Sequence, residues 1–98
     1  MLKMVMIIYN EAIDQEVSEV LKSSSQMQNH TKVIGAFGKG TTSGRHEGSD
    51  IWPGLNNILY VVCGETEAKK IMADVRLLRK TLGKEGVKAF SLSVDEAT

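Results

Sequence analysis

The sequence has few of the residues that cross-link a small protein or that stack on nucleic-acid bases. It contains one cysteine, Cys63, so an intrachain disulfide is excluded. Aromatic residues make up only 5% of the chain, and twelve basic side chains balance twelve acidic ones. Nucleic-acid binding proteins usually carry a basic face and stacking rings. Since Tyr9 and Tyr60 are the only aromatic residues of the predicted first and third strands, we expect no nucleic-acid partner.

Long hydrophobic runs are also missing. No stretch approaches the ~18 apolar residues of a membrane span. The N-terminal run from Met4 to Ile8 is too short for the apolar region of a signal peptide, and no small-residue cleavage site follows it. We therefore expect a cytoplasmic protein without membrane insertion. Ninety-eight residues at 42% hydrophobic content suit a single domain, residues 1–98, with a small core.

The apolar residues that are present predict the order βαββαβ. Asn10 precedes a helical pattern and is a good N-cap residue, and a second, stronger helical pattern ends before Gly83, a natural helix stop. This order is typical of a ferredoxin-like α+β fold, in which an antiparallel sheet carries both helices on one face. The predicted strands are Lys3–Tyr9, Thr31–Phe37, Ile58–Cys63 and Val87–Val94.

The first and third strands are apolar at almost every position, which favours the centre of the sheet. The helices would cover only one face of that sheet. The other face would then be an apolar patch larger than soluble monomers usually expose. We therefore expect another copy of the chain to cover it.

A long segment from Gly35 to Gly54 separates the second and third strands. It holds six of the nine glycines and the only proline and tryptophan. Loops longer than ~12–15 residues without regular structure are usually functional or disordered. Backbone amides in glycine-rich stretches form concave anion sites, and Lys39 adds positive charge. The predicted ligand contacts in this segment are Gly35, Phe37, Gly38, Lys39, Gly40, Thr41 and Thr42.

A second glycine-containing turn follows the second helix. A helix stop explains Gly83 but leaves Gly86 and the nearby lysines without a structural role. The alternatives here are a tight connection to an edge strand and a phosphate-binding turn. The predicted contacts are Gly83, Lys84, Gly86 and Lys88.

A metal site has weaker support. His46, near Glu47 and Asp50, carries the kind of group that binds divalent ions, and His30 and Cys63 are further ligand types. None of the usual ligand spacings, such as HxH, HExxH or CxxC, occurs. A solvated loop histidine is therefore the favoured interpretation of His46.

The layout and two short motifs resemble the nitrogen regulatory protein PII superfamily. That superfamily also has a βαβ, long loop, βαβ order, and its second strand ends in a glycine-phenylalanine-glycine-arginine run similar to Phe37-Gly38-Lys39 here. Its phosphate-binding turn after the second helix is similar to the run from Thr81 to Lys88, with Gly83, Lys84 and Gly86 in place. Lys88 matches once a one-residue gap is allowed.

The resemblance implies a homotrimer that binds nucleotides between subunits and uses the long loop to contact a target enzyme or transporter. Three features differ from the superfamily. The loop has no tyrosine between Lys39 and Gly54, so it is not a tyrosine-modified switch. Asp95 and Glu96 stand where a basic segment helps to hold a triphosphate, and the sequences GTTSG and DIWPG are not the usual loop sequence. The expected cofactor is therefore an unidentified nucleotide or other anion.

The function that these observations favour is a PII-like regulator in signal transduction, of the kind used in nitrogen regulation, rather than an enzyme. Its loop, residues 38–54, would be ordered by the ligand. The alternative is a trimeric divalent-metal-binding protein that resembles the cation-tolerance family. An acylphosphatase-type enzyme is disfavoured, because Glu11 in the turn after the first strand would repel phosphate.

Overall fold

The elements follow the predicted order. The structure, a computed structural model, describes residues 1–22, 29–39, 55–82 and 86–98. The elements are β1 (Leu2–Asn10), a 3-10 turn (Glu11–Ile13), α1 (Asp14–Lys22), β2 (Thr31–Phe37), β3 (Leu55–Gly64), α2 (Glu65–Leu82) and β4 (Val87–Ser93).

The four strands form one antiparallel sheet in the order β2-β3-β1-β4. The two strands that are apolar throughout, β1 and β3, are central, and the weaker β2 and β4 are the edges. The predicted ferredoxin-like α+β fold is confirmed.

The core lies between the helices and one face of the sheet. Val5, Ile7 and Tyr9 alternate along β1 and are buried, because successive strand residues point to opposite faces. The apolar stripe of α2, including Ile71 and Val75, packs against the same face. The other buried apolar residues are Ile13, Val17, Leu21, Leu59, Val61, Cys63, Ala68, Leu78 and Val87.

The opposite face of the sheet, which we call the open face, is apolar and lies away from both helices. Val62 is 51% exposed and Phe90 is 47% exposed, whereas Val61, the neighbour of Val62 in β3, is fully buried. The expectation that one sheet face would be an apolar surface in the single chain is confirmed. Its covering by another copy stays a prediction. The other apolar residues that the pairing places on this face are Leu2, Met4, Met6, Ile8, Val33, Ala36, Ile58, Tyr60 and Leu92.

The strand bounds differ from the predicted ones by one residue at several ends and by three residues at the start of β3. The third strand was predicted to begin at Ile58, with Asn56 and Asn57 closing the long loop, but β3 begins at Leu55 and contains both. Asn57 is buried, yet the strand tolerates it because its side-chain amide has polar partners on both sides, Gly35 and Asp14. Strand propensity alone gives no sign of those partners, since asparagine is depleted in strands.

Among the described residues, no helix is long and apolar enough to cross a membrane.

Candidate ligand-binding site

Both predicted glycine-containing segments reach the same end of the sheet. Ala36 of β2 pairs with Asn56 of β3, which pairs with Asn10 of β1. The backbone N–H of Asn10 donates to the carbonyl of Gly86 at 2.9 Å, just before β4. We call this end of the sheet the rim. Since β2 and β4 are opposite edges, three strand spacings of about 4.8 Å separate the two segments across it.

A β-bulge shapes β2 before it reaches the rim. Val33 pairs with Ile58 and Ala36 with Asn56, so two residues of β2, Ile34 and Gly35, lie opposite the single residue Asn57. Gly35 has a φ of 77°, in the left-handed region that favours glycine. Its N–H donates to Oδ1 of Asn57 at 3.4 Å. A side chain therefore supplies an acceptor for the amide at the bulge.

Four side chains converge beneath this bulge, on the helix side of the sheet. Oδ1 of Asp14 accepts hydrogen bonds from the Tyr9 hydroxyl at 2.5 Å, from Nζ of Lys32 at 2.8 Å and from Nδ2 of Asn57 at 3.2 Å. We call Tyr9, Asp14, Lys32 and Asn57 the Asp14 cluster. It joins the start of α1 to three neighbouring strands, so the bulge in β2 is linked to the helix layer.

The electrostatics of the Asp14 cluster fix its protonation at neutral pH. The hydrogen bond from the Lys32 ammonium, followed by that from Tyr9, lowers the pKa of the Asp14 carboxyl. Burial, followed by the hydrogen bond to Asp14, raises the pKa of the Tyr9 hydroxyl well above its usual range. Asp14 is therefore a carboxylate and Tyr9 a neutral donor, as the hydrogen bonds require.

Asn10 joins the other parts of the rim. Its Oδ1 accepts from the backbone N–H of Ala12 at 2.8 Å, which confirms the predicted N-cap. Its Nδ2 donates to the carbonyl of Leu55 at 3.4 Å. Together with the backbone bond to Gly86, these contacts tie the start of β3, the 3-10 turn and the start of β4 to one buried residue.

Three of the predicted site residues that the structure describes have exposed side chains near the rim, and two of them are lysines. Phe37 is 78% exposed, and Lys39 and Lys88 are exposed as well. Lys88 pairs with Ile8 in the sheet, which places it on the open face. Neither lysine forms a salt bridge with another described residue.

Gly38 lies against β3. A Cβ atom at this position would come within 2.5 Å of Nδ2 of Asn56, so only glycine lets the chain leave β2 with the Asn56 side chain in its present place. Gly86 has a φ of 100° and is the second glycine with a left-handed backbone among the described residues.

Several predictions fall outside the described residues. These concern the ligand contacts Gly40, Thr41, Thr42, Gly83 and Lys84, and the metal ligand His46. In the described ranges, no group of three or more histidine, cysteine, aspartate or glutamate residues could hold a metal ion. Cys63 is buried, and that burial raises the pKa of its thiol, which disfavours the thiolate that metals bind.

Sequence reasoning missed the Asp14 cluster. Lys32 and Asn57 both occupy inward-facing positions by strand alternation, since Lys32 pairs with Leu59 and Asn57 with Tyr9. A cation and an amide at inward-facing positions of two adjacent strands indicate a shared polar partner. That signal was present in the sequence, but it does not identify Asp14, which comes from the helix layer.

No protein-family profile matches the sequence, and no curated protein sequence does. Solved structures do match. CPII from Thiomonas intermedia K12, solved with ADP, AMP and acetate, has a TM-score of 0.71 at 13% identity, over 99% of this chain and 89% of that one. A candidate PII-like signalling protein from Thermus thermophilus has a TM-score of 0.63 at 24% identity, over 95% of this chain and 85% of that one.

A DUF3240 family protein from Shewanella baltica OS155 has the same fold at still lower identity. Its TM-score is 0.64 at 7% identity, and the match covers 99% of this chain and 93% of that one. CPII is described as a nitrogen regulatory PII-like protein and was also solved with ADP, AMP and bicarbonate. The resemblance inferred from the sequence is confirmed at the level of structure: the chain shares the fold of PII-like signalling proteins.

Proposed function

We propose that this chain is a PII-like ligand-binding regulator that takes a nucleotide or another anion at the rim. In this proposal, the ligand orders the 38–54 loop, and the loop then contacts a partner protein such as an enzyme or a transporter. The observation that carries the proposal is that the end of β2 and the start of β4, each with a left-handed glycine and an exposed lysine nearby, lie at the same end of the sheet.

The chemistry of the rim suits an anion. Lys39 and Lys88 supply positive charge, and amides near glycines can approach phosphate or carboxylate oxygens closely. The solved structures of CPII with ADP, AMP and bicarbonate support this choice of ligand class, because that protein has the same fold.

A single chain does not bring its two lysines together. The lysines belong to opposite edges of the sheet, about 14 Å apart along three strand spacings. We therefore propose that the site forms between subunits of a homotrimer, where the β2 end of one copy meets the β4 end of another. The apolar open face supports such an assembly, since packing against a neighbour would remove it from water.

Titration calorimetry with ADP, AMP and bicarbonate tests this function. We expect at least one of the three to bind the parent protein and to raise its melting temperature, because a ligand that binds only the folded state stabilises it. The Lys88→Gln variant should melt as the parent does without ligand, since surface substitutions usually change stability by less than about 0.5 kcal/mol. It should bind the ligand much more weakly.

Lys70→Gln is the matched control. Lys70 is an exposed lysine of α2, away from the rim, and its replacement removes the same charge. It should bind as the parent protein does. If the parent protein, Lys88→Gln and Lys70→Gln all bound the ligand with equal affinity, the anion site would lie elsewhere. If the parent protein gave no binding heat with any of the three compounds, the proposed ligand class would be contradicted.

A further inference from the structure

The side-chain amide of Asn57 lies between a hydrogen-bond acceptor and a hydrogen-bond donor. The Asp14 carboxylate can only accept, and the backbone N–H of Gly35 can only donate. The side chain satisfies both only when Nδ2 faces Asp14, at 3.2 Å, and Oδ1 faces Gly35, at 3.4 Å. Rotating the amide by 180° would place two donors against each other at Gly35 and two acceptors against each other at Asp14.

The surroundings hold both ends of this arrangement in place. Asp14 is the acceptor for Lys32 and Tyr9 as well, so its carboxylate is held from α1, β1 and β2. Asn57 is 4% exposed, which leaves water little access to compete for its amide. Gly35 adopts its left-handed conformation two residues before Phe37 and three before Gly38, the first described contacts of the proposed site after it.

We propose that Asp14 is a positioning residue for the anion site. Its carboxylate dictates the orientation of the Asn57 amide, and that amide holds Gly35 in the left-handed conformation that directs Phe37, Gly38 and Lys39 to the rim. Asp14 acts through Asn57. The part of this inference that concerns ligand affinity rests on the proposed function; the part that concerns the bulge does not.

Amide hydrogen exchange, followed by NMR in the free protein, tests the link between Asp14 and Gly35. Asp14→Asn keeps the shape of the side chain but can offer Asn57 either an oxygen or an NH₂ group, so it no longer dictates the orientation of the amide. We expect amide exchange at Gly35 to become about tenfold faster, which is the effect of losing one ordinary hydrogen bond. The exchange rates of amides in the centre of β1 should change no more than they do in the control variant.

Glu16→Gln is that control. It removes an acidic charge from the same helix turn, but Glu16 is exposed, and exchange at Gly35 should match the parent protein. A uniform acceleration across all strands in Asp14→Asn would mean a general loss of stability and would overturn the inference, as would unchanged exchange at Gly35.

Asn57→Ser provides a test that does not depend on the folding of the Asp14 variant. A serine hydroxyl is too short to bridge Asp14 and Gly35, so exchange at Gly35 should again become about tenfold faster. No change at Gly35 in this variant would show that the side chain does not hold the bulge, and the inference would fail.

A titration with ADP adds the functional readout. If the parent protein binds ADP, Asp14→Asn should bind it several-fold more weakly and Glu16→Gln equally well, because apparent affinity falls with the population of the competent conformation. Unchanged ADP affinity in Asp14→Asn would overturn the role in binding. If the parent protein does not bind ADP, the proposed ligand is wrong, and the exchange measurements alone decide whether Asp14 positions the bulge.

Discussion

At the scale of single residues, the backbone of Gly35 carries the most specific requirement at the rim. Its φ of 77° lies where a side chain clashes with the following carbonyl, whereas no atom beyond Gly35 and its two chain neighbours lies within 4 Å of the place a Cβ would occupy. The requirement is therefore one of conformation and not of space. It accounts for a glycine in the middle of an edge strand, where glycine is otherwise unfavourable.

Gly35→Ala should lower the free energy of unfolding by about 1–2 kcal/mol, the cost of a left-handed conformation in a residue with a side chain. Gly38→Ala is the informative comparison. Gly38 has no positive φ, and the atom a Cβ would meet is the end of the flexible Asn56 side chain, so a rotation of that side chain can relieve the contact. Urea denaturation should therefore find Gly35→Ala the less stable variant, and equal stabilities would contradict this account.

Tyr9 should make the protein sensitive to alkaline pH. Burial and the bond to Asp14 raise the pKa of its hydroxyl above the unfolded value of 10.0, so above pH 10 the unfolded chain loses a proton that the folded chain keeps. The stability that this bond contributes is present below pH 10 and is lost as the pH rises further.

Denaturation curves at pH 8 and pH 11 measure that effect. The loss of stability between the two values should be smaller in Tyr9→Phe than in the parent protein. If Tyr9→Phe showed the full loss, the sensitivity would come from other groups.

At the scale of elements, continuous apolar runs, alternation and helical periodicity were enough to predict the strands, the helices and their order. The bounds of β2 were predicted to the residue, because Thr31–Phe37 is delimited by polar and glycine residues. The start of β3 was not predicted. Asn56 and Asn57 belong to the strand because they contact β1, β2 and α1, and their own strand propensity is low. Such contacts between distant parts of the chain leave no periodic pattern.

The location of the two candidate segments was predictable to a similar extent, whereas ligand binding by their residues stays a prediction. Glycines and lysines at Gly35–Lys39 and Gly86–Lys88 marked the two strand ends, and the order of the strands then brought them to one rim. The hydrogen bonds that set the rim's geometry were not predictable, since a hydrogen bond depends on distances of a few tenths of an ångström between elements that are far apart in sequence.

The two faces of β3 give a prediction that belongs to this scale. Val61 is fully buried against the helices, so Val61→Asp would place a carboxylate in the core without a partner, at a cost of several kcal/mol. We expect this variant to lack cooperative thermal unfolding. The adjacent Val62→Asp, on the open face, should retain it, and cooperative unfolding of Val61→Asp would contradict the assignment of the faces.

At the scale of the whole molecule, the apolar open face is the feature that a single chain leaves unexplained. Val33, Val62, Phe90 and Leu92 are each at least 40% exposed on one continuous sheet surface. The helices shield only the other face. The proposed homotrimer would bury this surface. In that proposal the β2 end of one subunit also meets the β4 end of another, so the same arrangement would account for the exposed face and for the separation of the two lysines.

Val62→Asp tests that arrangement. Light scattering on the parent protein should give three times the 10.7 kDa mass of one chain. Val62→Asp should scatter as a folded monomer, because a charge on the open face would lose its hydration in the interface. Leu77→Asp is the matched control: Leu77 is 61% exposed on α2, in the layer away from the open face, and its variant should remain trimeric. A monomeric parent protein at micromolar concentration, or dissociation of Leu77→Asp to the same degree as Val62→Asp, would contradict assembly through the open face.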